Sequence, residues 1–99
     1  MPKQPQDCTT MAELRVEIDR IDAALVALLI ERAAYIDRVA EVKTEIGWPA
    51  RIDARVEQVV QNVLGHAAGS DLPADLLEQF WRGLIEWSIA REDQKLGGA

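Results

Sequence analysis

Cysteine is nearly absent: Cys8 is the single one, so no intrachain disulfide can form and a reducing compartment suits the chain. Aromatic side chains make up 5% of the sequence, which leaves Leu, Ile, Val and Ala to build a core and favours helices over a β-sandwich. The 6 glycines and 4 prolines fall in clusters, so long stretches run without a structural break. Positive charge is in deficit, with 11 Lys and Arg against 17 Asp and Glu and a net charge of −6. A field of that sign repels nucleic acid and anionic membranes, and neither is expected as a partner. No apolar run reaches membrane-spanning length. The stretch Met1 to Asp7 is polar and lacks the apolar centre of a signal peptide, so a cytoplasmic location is expected. Phosphate loops, zinc-ligand spacings and nucleophile triads are missing too, so no metal site is expected.

What is present is helical periodicity. The 99 residues fit one domain, 1–99, with an ordered core over about 8–95. Thr10-Met11-Ala12-Glu13 reads as a capping box, in which the hydroxyl and the carboxylate satisfy orphan backbone N–H groups at a helix start. Apolar residues then recur at Leu14, Ile18, Ile21, Leu25, Leu28, Ile36, Val39 and Ile46 in helical steps, with no break until Gly47-Trp48-Pro49. The pattern predicts a helix of about 36 residues, roughly 54 Å long. That is too long for a compact monomer of this size, whose radius of gyration should be about 13 Å. A second helix is expected over Asp53 to Leu64, a loop over Gly65 to Gly69, and cap candidates in Ser70-Asp71-Leu72-Pro73. The third helix should continue to about Lys95, with an apolar face including Leu77, Phe80, Leu84 and Trp87 or Ile89 and a frayed end at Gly97-Gly98-Ala99. The stripe on the first helix exceeds what the other two can cover, so two copies pairing their long helices is the expected solution. A helical-bundle or coiled-coil interaction module fits the pattern equally well.

Charge inside the stripe separates these readings. Arg32 falls between Leu28 and Ile36, and Lys43 between Val39 and Ile46. Eleven residues apart, they share nearly one helix face. Two buried cations are costly unless paired. On the third helix, Ser88 and Glu92 follow Leu77, Trp81 and Leu84 in steps of three and four. A cluster of Arg, Lys, Ser and Glu inside an all-α core suggests a ligand site. The plainer alternative is that Arg32 and Lys43 lie at the stripe edge or pair with Glu92. Asp19, Asp22, Glu31, Glu41 and Glu45 read as a solvated face, His66 as a surface residue in the loop, and Trp48, Trp81 and Trp87 as packing residues.

Leu14-Arg15, Ile18-Asp19, Ile21-Asp22, Leu25, Leu28-Leu29 and Glu31-Arg32, with Lys43 further along, resemble the first helix of the all-α chorismate mutase family. The resemblance spans about residues 8 to 95. Asp7-Cys8-Thr9 and Ile18-Asp19-Arg20-Ile21-Asp22 are also similar to isochorismate pyruvate lyases, the salicylate-forming branch of that family. The resemblance implies three helices per chain interlocked into a homodimer with two active sites. It implies a dicarboxylate substrate, no cofactor and a place in the shikimate pathway. Arg15 would be donated into the neighbour's site, and Arg32, Lys43 and Arg55 would be the home chain's cations. Ser88 matches a family serine, and Glu92 falls where the family places Gln or Glu beside the substrate's ether oxygen. Ile52 and Val56 depart from the mutase pattern, which often has acidic residues there, and the second of those binds the ring hydroxyl.

The implied chemistry suits these residues. Chorismate rearranges to prephenate in one pericyclic step that needs orientation and stabilisation of negative charge on the ether oxygen. Arg15 and Arg32 can grip carboxylates in a bidentate manner. Lys43 can donate to the ether oxygen, as can Glu92 in its protonated form. Chorismate mutase is the expected activity, and isochorismate pyruvate lyase on the same frame is the alternative.

Overall fold

The computed structural model describes residues 2–97. Gly98 and Ala99, which carry most of the expected frayed end, lie outside the described residues. The described residues form three α-helices and no strand: α1 (Met11–Ile46), α2 (Asp53–His66) and α3 (Ala74–Lys95), preceded by a 3-10 turn at Pro5–Asp7. The chain divides into two units, Met1–Ala34 and Tyr35–Ala99, with the division inside α1.

In the first unit, the cap of α1 forms largely as the sequence suggests. The Glu13 N–H donates to Thr10 Oγ1 at 3.1 Å, while the Glu13 carboxylate accepts from the Thr9 N–H at 3.1 Å and from both threonine hydroxyls. The carboxylate thus reaches one residue further back than a simple capping box requires. Lys3 adds an ion pair to the same carboxylate. The apolar stripe beyond this cap is left uncovered. Ile18, Ile21, Leu25 and Leu28 are each about half exposed or more, and Ala40 is the one residue of α1 that is fully buried.

The second unit holds the core. Ala50, Val60, Ile85 and Ile89 form it, with Val56, Val59, Leu64, Trp81 and Leu96 packed around them. Gly47 ends α1. Its φ of +76° is the left-handed conformation that glycine adopts without strain, and it lets the Trp48 N–H reach back to the Lys43 carbonyl at 3.0 Å. The chain therefore reverses one turn after Lys43. Surface ion pairs tie the helices together: Arg82 grips Glu57 of α2 with two bonds of 2.9 Å, and Arg51 holds Glu86 of α3 in the same bidentate way.

Three sequence expectations need correction. Helix α2 continues through Gly65 and His66, because nothing there interrupts the backbone ladder and the Ala67 N–H still bonds the Val63 and Leu64 carbonyls. Ser70 shapes the turn before α3 by accepting from the Leu72 N–H at 3.2 Å and donating to the Ala67 carbonyl, whereas the residue capping α3 is Pro73. On α3 the expected face holds at Ile89 and fails at Phe80 and Trp87, which are exposed, while Ile85, Ser88, Ile89 and Glu92 are the buried residues. Two apolar stripes about 100° apart compete on this helix, and the one through Trp81, Ser88 and Glu92 turns inward. Trp48 is likewise exposed, so of the three tryptophans Trp81 is the one in the core.

Candidate functional site

Burial of charge marks the site. Glu92 is 5% exposed on α3, and the Lys43 side chain on α1 is 13% exposed. Their charged ends meet at 2.7 Å between Nζ and Oε1. The same ammonium donates to the Ala50 carbonyl at 2.8 Å. Lysine has three N–H donors, and two of them have these partners, so the ammonium is aimed by two fixed acceptors. The Gly47 turn brings Ala50 back to Lys43, and burial of Ala50 in the core holds it there. Ser88, one turn before Glu92, is buried with it and donates to the Leu84 carbonyl at 2.9 Å.

A second ion pair joins the same two helices. Arg91 grips Asp37 with Nε at 2.6 Å and an Nη at 2.9 Å, and its guanidinium lies 5.5 Å from the Trp87 ring centre. Lys95 stands 3.9 Å from Asp37. The Arg91 hydrogen bonds hold the Asp37 carboxyl below the usual carboxylate range, against an opposing effect of partial burial.

Lys43 and Glu92 are therefore brought together, with Ser88 buried one turn away on α3. Val56 is half-buried and packs on the core, where it offers no hydrogen bond. Ile52 caps α2 through its backbone. Arg55 points along the exposed side of α2 and donates to Gln58 at 2.7 Å. In the first unit, Arg32 is half-buried and Arg15 exposed. They stand seventeen residues apart on one helix, which is about 25 Å along its axis. A small dicarboxylate cannot bridge that distance, so these two arginines of one chain cannot serve one site. His66 lines an open apolar groove of about 220 Å³ with Val63, Ala67, Leu72, Leu77 and Trp81.

Sequence reasoning missed Ala50, Asp37 and Arg91. A carbonyl leaves no sequence signal, and Asp37 and Arg91 are 54 positions apart, beyond the reach of helical periodicity.

The sequence model of the family described as chorismate mutase type II matches residues 14–93. The chain belongs to the chorismate mutase type II family. Among its relatives, the isochorismate pyruvate lyase of Pseudomonas aeruginosa is 33% identical over 91 residues, covering 91% of this chain and 88% of that protein. The chorismate mutase of Methanocaldococcus jannaschii is 27% identical over 86 residues, covering 87% of each. The bifunctional chorismate mutase/prephenate dehydratase of Aquifex aeolicus is 31% identical over 85 residues, which is 83% of this chain and 24% of that protein. The chain thus spans about a quarter of the bifunctional relative and most of the two single-function ones. No helix among the described residues is long and apolar enough to cross a membrane.

The depressed Asp37 titration predicts a pH signature. A carboxyl held below its unfolded value contributes stability above the ordinary carboxylate range, and that contribution is lost as pH falls through the folded value. Asp37→Asn should therefore unfold at lower urea than wild type at pH 7, and the gap should narrow as pH falls below the ordinary Asp range of about 4. A gap of equal size at pH 7 and below that range would contradict the assignment.

Proposed function

We propose that this chain is a chorismate mutase acting as an interlocked homodimer. The buried Lys43–Glu92 pair carries the reading, because an all-α core gains little from an ion pair that packed apolar residues could replace. In the reaction, the ether C–O bond breaks as a C–C bond forms between the enolpyruvyl methylene and the ring. No proton is transferred and no metal or cofactor is consumed. The protein must fold the substrate into the reactive conformer and stabilise charge on the ether oxygen. Lys43 donates to that oxygen with the ammonium aimed by Glu92 and Ala50. Glu92 accepts from that ammonium through Oε1 and so fixes its direction, and Ser88 adds polarity on the same helix. Arg32 binds one carboxylate in a bidentate manner, and Arg15 supplies the second cation from the other copy. Arg55 completes the cationic frame. The separation of Arg15 from Arg32 along one helix and the uncovered stripe around Leu25 and Leu28 support the dimer. The reading is of a cytoplasmic enzyme with no nucleic-acid or membrane partner.

Val56 favours a second reading, isochorismate pyruvate lyase, in which a ring hydrogen moves to the pyruvyl group as pyruvate leaves and salicylate forms. Val56 cannot accept a hydrogen bond from the ring hydroxyl of chorismate. Losing one such contact costs about 0.5–1.5 kcal/mol, up to roughly tenfold in binding. The ether-oxygen contact acts on the barrier itself and weighs more.

Following prephenate and salicylate formation on one preparation decides between the two. The expected result is a higher kcat/KM with chorismate, improved further in Val56→Glu. A higher value with isochorismate makes the lyase reading correct.

The dimer has its own test. Arg15→Ala and Arg32→Ala should each lose most activity and stay helical. A fully exchanged mixture should regain activity, because its heterodimers hold one site with both arginines intact. Inactive mixed dimers, or a folded wild-type monomer at micromolar concentration in sedimentation, would refute the shared site.

A further inference from the structure

Two of the ion pairs that join α1 to α3, Asp37–Arg91 and Lys43–Glu92, leave Arg91 and Glu92 side by side in sequence, and only the Lys43–Glu92 pair has a part in the chemistry above. We infer that the Asp37–Arg91 pair is a positioning device that sets where the Glu92 carboxylate meets Lys43. The inference rests on the chorismate mutase reading and adds residues to its site.

The geometry favours this over simple surface stabilisation. The Arg91 fork makes two bonds to two different oxygens of Asp37, at 2.6 and 2.9 Å, which restricts the angle of approach as well as the distance. The Trp87 ring, one turn earlier on α3, packs against the guanidinium and limits its rotamers. Arg91 and Glu92 have Cα atoms about 3.8 Å apart, so an arginine held at this angle fixes the backbone that carries the carboxylate. On α1, Asp37 and Lys43 are six residues apart, about 9 Å along the axis, with the fully buried Ala40 between them. One ion pair is a pivot. Two at different heights fix the register and the rotation of α3 against this part of α1. Lys43 has little freedom to follow a displaced Glu92, because the Ala50 carbonyl holds it at 2.8 Å. A small shift of α3 therefore separates the pair, and catalysis is sensitive to such shifts.

A double-mutant cycle between Asp37 and Glu92, read by kcat on chorismate, tests the inference. Asp37→Asn should lower kcat by about threefold to tenfold with KM nearly unchanged, at a temperature where circular dichroism shows the variant folded. Arg91→Lys, which keeps the charge and loses the fork, should lose a similar factor. In a Glu92→Ala background, Asp37→Asn should have no further effect on kcat. An equal loss in both backgrounds, or no loss in Asp37→Asn, overturns the positioning role. The Lys43 ζ-ammonium signal in 15N NMR reads the same contact without substrate. It should shift or broaden in Asp37→Asn, and an unchanged signal overturns the inference. Wild-type protein that turns over neither chorismate nor isochorismate would instead overturn the functional reading, and the NMR comparison would then decide the positioning role by itself.

Discussion

An ammonium and a carboxylate, both withdrawn from water and 2.7 Å apart, set the terms for the second unit of this protein. Desolvating each charge costs several kcal/mol, and their attraction repays it only with good geometry and further hydrogen bonds. The surrounding structure supplies both. Gly47 turns the chain back so that the Ala50 carbonyl can accept from Lys43, and Ala50 is itself locked into the core with Val60, Ile85 and Ile89. The rotation of α3 that buries Ser88 and Glu92 leaves Phe80 and Trp87 exposed. Apolar burial that a larger α3 face would have contributed is given up so that a polar face can turn inward.

The first unit presents the complementary problem. Its helix carries two arginines suited to carboxylates and a row of uncovered aliphatic side chains, with Leu28 at 61% exposure. A monomeric protein rarely leaves so continuous an apolar face in water. Pairing with a second copy accounts for both features in the proposed enzyme: it covers the stripe and brings Arg15 from one copy to the carboxylates gripped by Arg32 of the other. Membership in the chorismate mutase type II family is consistent with that arrangement.

Much of this was legible in the sequence because helices announce themselves locally. The Thr10–Glu13 cap, the steps from Leu14 to Ile46 and the Gly47 stop predict a helix whose observed bounds are Met11 and Ile46. Lys43 and Glu92 were also marked, since a charge inside an apolar stripe stands out against its neighbours. What was not legible depends on tertiary contact. The extension of α2 through His66 follows from backbone bonds that Gly65 weakens only slightly. Which of two stripes on α3 faces inward is decided by packing against α2. The Asp37–Arg91 clamp and the Ala50 carbonyl have no periodic signature.

The central claim is that the buried pair is kept for chemistry and not for stability, and one set of variants separates the two. Lys43→Met should lose about 3–5 kcal/mol of stability, because Glu92 is left buried and unpaired. Lys43→Met/Glu92→Met should recover most of that loss, yet show no turnover of chorismate or isochorismate. A double variant that keeps its turnover, or a single variant as stable as wild type, would contradict the account.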